Sequence, residues 1–185
     1  VLTIVGMSLF RNDPVWDIAN KLYVSLPGKN RFVAPSAVVQ ARQRLGDDAV
    51  GHVFKLMAQR AFTEYAFEQW CGLNVLAVDG VMFRAQDTAE NLDAFGCDRN
   101  AKGDNPYPQV RMCSLMETSS HLLLASEFDS RDVGEMSLAQ RLVPSVPDNS
   151  LTLFDRGYYS LGLLYLWMTK AVSYTHLTLP TMDSV

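Results

Sequence analysis

Cysteine is scarce in this chain, and what there is cannot build a framework. Cys71, Cys97 and Cys113 are odd in number and far apart, with no C-x-x-C pair and no histidine at ligand spacing. That excludes a disulfide scaffold and a thiolate metal site, and it fits free thiols in a reducing compartment. Histidine is equally sparse: His52, His121 and His176 are scattered, and none stands beside a second candidate ligand. Long apolar runs are also missing. The richest stretch, Leu161 to Met168, falls well short of the roughly 20 residues a membrane span requires. No basic leader precedes an apolar segment and a small-residue cleavage site, so the expectation is a cytoplasmic protein with no membrane partner. A strong charge of one sign is lacking too, since the net value is only −4.

What is present is an ordinary globular composition. The 185 residues are 48% hydrophobic and 19% charged, enough for one core, or one core plus a small accessory domain. Charge is uneven along the chain. Residues 1–70 carry eight Lys/Arg against six Asp/Glu, and residues 71–185 carry eight against fourteen. A mildly basic front can touch a polyanion and an acidic back can hold cations, although neither imbalance proves a partner.

The front reads as helices. Pro14 to Leu26 places Val15, Ile18, Ala19 and Leu22 on one stripe and is stopped by Pro27-Gly28; the loop G-K-N-R follows. Pro35-Ser36 opens a second helix with Val38, Ala41 and Leu45 on its apolar side, ended by Gly46. A third runs from Asp47 or Asp48 to about Trp70, with Val50, Val53, Phe54, Met57, Ala61 and Phe62 facing inward. On the second helix Gln40, Arg42, Gln43 and Arg44 point away from the stripe. They suit either a small DNA-binding module, where Arg42 and Arg44 reach phosphates, or a solvated helix face.

From Cys71 the pattern changes to strands: Leu73 to Phe83, Gln109 to Glu117 and His121 to Phe128, the last two joined by T-S-S. The polar segment Arg84 to Pro108 reads as a loop or insertion. Gly134 to Val143 is helical, Leu151 to Asp155 is a short buried strand, and Ser160 caps a helix to about Lys170. Three successive strands, a crossover helix and a fourth strand resemble the first part of a ribonuclease-H-like fold, an α/β (α+β) class. In that fold the first and fourth strands are neighbours.

Two short apolar runs on those strands each end on an aspartate: L-N-V-L-A-V-D at Asp79, inside or near the end of the first strand, and L-T-L-F-D at Asp155. A carboxylate closing a buried strand is costly to desolvate unless it is paired or binds a cation, and two adjacent carboxylates repel. Mg²⁺ suits such a pair, with Mn²⁺ as the alternative, because it takes hard oxygen ligands and bridges carboxylates to phosphates. A two-metal site of this kind promotes phosphodiester transfer but needs another acid. Glu117, Glu127 and Glu135 are better explained by structural roles. Arg156, Tyr158 and Tyr159 follow the second aspartate. The arginine suits phosphate, and the tyrosines suit either base stacking or core packing.

Four separated stretches carry a family likeness: F-V-A-P-S-A-V-V-Q-A-R-Q-R-L-G (Phe32 to Gly46), W-C-G-L-N-V-L-A-V-D-G-V (Trp70 to Val81), Y-P-Q-V-R-M (Tyr107 to Met112) and L-T-L-F-D-R-G-Y-Y-S-L-G-L-L (Leu151 to Leu164). Together they closely resemble the DDE transposases of the bacterial insertion element four family. The resemblance implies Mg²⁺-dependent cleavage and joining of double-stranded DNA at transposon ends and target, by a homo-oligomer of the intact protein. It implies a helical N-terminal domain over 1–70 and the first part of a ribonuclease-H-like core over 71–171. Asp79 and Asp155 match the first two catalytic aspartates, both metal ligands. The third family ligand is a glutamate in a downstream Y-R-E-K signature, which this sequence does not contain, so the expectation is a site held but not completed and a chain inactive alone. Both ends look cut, and Val172 to Thr181 within the 172–185 tail resembles one frame of a mosaic-end sequencing adapter. The rival readings are a non-catalytic DNA-binding remnant and a metal-dependent nuclease with the same core.

Overall fold

The computed structural model describes residues 1–24, 34–100 and 103–170. The G-K-N-R loop and the tail from 172 onward lie outside the described residues. The chain divides into two compact units, Val1–Met57 and Ala58–Val185.

In the first unit, helices α1 (Leu2–Leu9), α2 (Val15–Val24), α3 (Pro35–Leu45) and the start of α4 (Asp48–Glu64) form a small helical layer. Of the expected stripe on α2, Ile18 and Ala19 are almost solvent-free while Val15 and Leu22 are half-buried. The stripe meets α1 at Gly6, where an added Cβ would sit 2.6 Å from Ile18 Cγ2 and 2.9 Å from Leu22 Cδ1. Glycine is therefore what lets the two helices approach. On α3, Pro35 occupies the first turn, Gly46 ends the helix at φ +70°, and Val38 is the buried anchor. Ala41 turns out exposed. α4 stops at Glu64 instead of running to Trp70. Beyond it Phe67 stacks back on Phe62 with ring centroids 5.4 Å apart, and Gln69–Trp70 becomes a strand.

The second unit is built on one mixed sheet. Strand β1 (Gln69–Trp70) turns through Cys71 (φ +52°) and Gly72 (φ +78°) into β2 (Leu73–Arg84), a two-residue hairpin that requires two left-handed positions. The polar stretch expected to be a loop contains helix α5 (Ala89–Phe95) and strand β3 (Cys97–Asn100), which pairs with the first residues of β4 (Gly103–Glu117). The side chain of Thr88 caps α5, accepting from the Asn91 amide at 3.2 Å, and Gly96 closes it at φ +69°. Caps rather than apolar periodicity define this helix, which is why its composition reads as loop. β4 pairs antiparallel with β2 and with β5 (Leu123–Ser130). Helix α6 (Glu135–Leu142) then crosses to β6 (Ser150–Phe154), which pairs parallel to β2, and α7 (Leu161–Met168) follows. The central order is β5-β4-β2-β6. First and fourth long strands are neighbours, as in the first part of a ribonuclease-H-like core.

One face of this sheet carries the core. Leu76, Val78, Cys113, Leu115, Thr152 and Phe154 meet Leu138, Ala139 and Leu142 of α6 and Leu163 and Trp167 of α7, all buried. Burying each large apolar side chain contributes about 1.5–3 kcal/mol. Phe154 packs edge-on against Trp167 at 4.8 Å, and the Trp167 indole N–H donates to Thr152 Oγ1 at 3.0 Å. The end of β6, and with it Asp155, is thereby tied to the core.

Candidate metal centre at the ends of two parallel strands

The parallel register runs from Asn74↔Ser150 to Val78↔Phe154, and the next residue on each strand is an aspartate. Asp79, inside β2 and paired with Ser114 of β4, and Asp155, the first residue after β6, 76 positions apart in sequence (155 − 79), thus both follow the last pair of the parallel ladder. Neighbouring strands lie about 4.8 Å apart, a spacing that one bridging cation spans.

Both aspartates are exposed. The expectation that they close buried strands at a desolvation cost is therefore corrected: the strands are buried up to Val78 and Phe154, and the carboxylates sit just past them in solvent. Asp79 Oδ1 accepts from the Gly80 amide at 2.8 Å, and Asp155 Oδ1 accepts from the Arg156 amide at 2.6 Å. Among the described residues no hydrogen bond or ion pair uses the Oδ2 atom of either. Two carboxylates facing solvent side by side, each holding one oxygen in place through its own backbone, fit a hard divalent cation. Among the described residues no third His, Cys, Asp or Glu joins them in a metal-ligating group.

The other acids are placed as follows. Glu117 is completely buried at the end of β4, where it accepts from the amides and hydroxyls of both Ser119 and Ser120. Burial pushes its carboxyl up, but those four hydrogen bonds outweigh burial and hold the pKa below the usual range. It is a turn lock in the T-S-S hairpin, as a structural role requires. Glu127 lies on β5 opposite Cys113. Glu135 opens α6 and reaches the first aspartate's neighbour: its Cδ lies 3.0 Å from where a Cβ on Gly80 would stand.

Tyr158, read from sequence as either a stacking residue or a core residue, is a core residue. A 3-10 turn over Arg156–Tyr158 returns it inward to 2% exposure, with its ring 6.0 Å from Phe154. A base has no access to a face so covered, so the stacking reading is withdrawn for Tyr158. Its hydroxyl lies 3.7 Å from Cys113 Sγ. Burial, then the Cys113 hydrogen bond, then the negative charge of Cys113, Glu135 and Asp79 push the phenol far above its ordinary value. Burial likewise raises the Cys113 thiol, with Glu135 and Asp79 adding to it against the Tyr158 hydrogen bond. Tyr159 and Arg156 are exposed beside Asp155, and Arg42 and Arg44 are exposed on the last turn of α3 in the first unit.

Comparison with known proteins identifies the family. Residues 1–55 match the family described as insertion element 4 transposase N-terminal, and residues 70–175 match the transposase DDE domain. The chain belongs to the insertion element 4 family of DDE transposases. It is 48% identical over 180 residues to the transposase InsG for insertion sequence element IS4 of Escherichia coli (strain K12), covering 97% of this chain and 40% of that protein. It is 35% identical over 179 residues to the putative transposase InsZ of the same strain, covering 95% of this chain and 60% of that protein. The chain thus spans about half the length of these curated relatives. Among solved structures, the piggyBac transposase synaptic complex with hairpin DNA aligns at 12% identity and a TM-score of 0.43, over 100% of this chain and 42% of that one.

Sequence reasoning missed the grouping of Gly80, Cys113, Glu135 and Tyr158 next to Asp79. The D-G and D-R-G-Y motifs were the available signal, but only register and the 3-10 turn show that they touch.

Proposed function

We propose that this transposase chain carries the front of a catalytic core that cuts and rejoins DNA at insertion-sequence ends, with Asp79 and Asp155 holding Mg²⁺, or Mn²⁺ in its place. The observation that carries the reading is the parallel register, which ends one residue before both aspartates. A bound cation would polarise phosphate and water oxygens in phosphodiester transfer. The chain's own residues do the rest. The Gly80 and Arg156 amides fix one oxygen of each aspartate, which presents the other outward. Arg156 and Tyr159 flank the pair, where a guanidinium suits a phosphate and an exposed ring suits an unstacked base. We read 1–70 as a helical DNA-contacting domain, using Arg42 and Arg44, and 71–171 as the first part of the core. Double-stranded DNA is the partner, and the intact protein works as a homo-oligomer.

The direct test is Mn²⁺ titration of the 185-residue chain followed by electron paramagnetic resonance. Saturable binding that disappears in both Asp79→Asn and Asp155→Asn is expected. Because each substitution removes one of two repelling exposed charges, melting temperature should stay level or rise slightly. Undiminished binding in either variant would sink the assignment.

A further inference from the structure

Pairing between β2 and β6 stops at Val78↔Phe154, so Asp155 belongs to chain that has already left the sheet. Among the described residues its carboxylate bonds only to the amide of the next residue, which does not locate it relative to Asp79. The contact that does cross between the two segments is made by Tyr158. From the turn after Asp155 its ring passes beneath the site, and its hydroxyl arrives over Gly80 and near Cys113, residues opposite one another in the β2–β4 register. An added Cβ at Gly80 would lie 2.9 Å from that hydroxyl and 3.0 Å from Glu135 Cδ. Glu135 is only half-buried and has room to swing aside, whereas Tyr158 is enclosed by Phe154 and the core and can yield only by moving the turn that carries Asp155.

Resting on the metal-site reading above, we propose that Tyr158 is a positioning residue that sets the separation of Asp79 and Asp155, and that Gly80 is the recess built to receive it. The two aspartate motifs are then halves of a single knob-and-recess contact: each supplies one ligand and one surface of the clamp between them. A cation that demands near-ideal geometry at about 2.0–2.1 Å tolerates little change in that separation.

Mn²⁺ affinity and thermal melting, measured on the 185-residue chain and on Asp79→Asn, Gly80→Ala, Tyr158→Phe and the Gly80→Ala/Tyr158→Phe double variant, test this. Gly80→Ala should weaken Mn²⁺ binding about tenfold or more, the scale seen when residues that orient metal ligands are altered. Tyr158→Phe keeps the ring and should stay near wild type. In the double variant the missing hydroxyl makes room for the new methyl, so affinity should return to near the wild-type value, a non-additivity that general loss of fold does not produce. If the wild-type chain binds Mn²⁺ and Asp79→Asn does not, the metal reading stands. Equal binding by Gly80→Ala, or a double variant no better than Gly80→Ala, then overturns the positioning role. If Asp79→Asn binds as well as wild type, or neither binds, the metal reading fails and this inference goes with it.

Discussion

Replacing Glu117 by glutamine isolates one buried charge whose surroundings are fully described. Oε1 accepts from the Ser119 amide at 2.9 Å, and Oε2 accepts from the Ser120 amide at 2.8 Å and from both serine hydroxyls. The hydroxyls can rotate to accept from a carboxamide; the two backbone N–H groups cannot. Whichever way the introduced carboxamide is flipped, its NH₂ faces one of those amides, so one hydrogen bond that the charged carboxylate accepts from the turn backbone is lost; Ser119 and Ser120 are themselves exposed. A hydrogen bond to a charged group contributes about 1.5–3 kcal/mol. Taking about 2 kcal/mol, the melting midpoint of the second unit should fall by roughly 5–10 °C at pH 7.

The pH dependence gives a second arm. The folded-state pKa of Glu117 lies below its ordinary 4.5. A carboxyl with a depressed folded pKa contributes its full stability above the unfolded value and loses it as pH falls through the folded value. The wild-type and Glu117→Gln proteins should therefore differ most at neutral pH and converge in acid below pH 4.5. Melting curves followed by circular dichroism from neutral pH into acid report both effects. A Glu117→Gln midpoint within about 1 °C of wild type at pH 7 would refute the lost-hydrogen-bond argument, and a gap that widened in acid would refute the linkage. Mn²⁺ binding should be untouched in this variant, which separates Glu117 from the metal site.

Thr152→Val preserves shape but strands the Trp167 indole N–H, bonded at 3.0 Å where both residues are solvent-free; urea unfolding should show a loss of about 1–3 kcal/mol. Arg42→Ala and Arg44→Ala should weaken binding of duplex DNA evenly across sequences. Each should also lower the salt slope of the association constant by about 0.9 for every phosphate the arginine neutralises, readable by fluorescence anisotropy at several salt concentrations.

Much of the architecture is legible in the order of residues, because local period and punctuation determine it. The apolar stripes at Val15–Leu22 and the Pro35 and Gly46 boundaries of α3 are spoken by single side chains. The apolar runs within Leu73–Phe83 and Gln109–Glu117 identify strands for the same reason. Where caps and pairing rather than period decide, the reading fails. α5 and β3 hide in a polar stretch, and α4 ends at Glu64 because Gln69–Trp70 is claimed by a hairpin with β2. The two aspartates were singled out for a partly wrong reason: each follows the last pair of the β2–β6 ladder, but as an exposed side chain rather than a buried one.

By itself the sequence determined, through four ordered motifs, which family the chain belongs to, and it singled out candidate residues for chemistry, since residue type and spacing are properties of the chain. Only tertiary structure decided which of them meet. Parallel register sets Asp79 and Asp155 one residue past its last pair, a 3-10 turn sends Tyr158 inward onto Gly80, and serine donors claim Glu117. Each of these depends on the path of the backbone between residues distant in sequence, which no local pattern encodes.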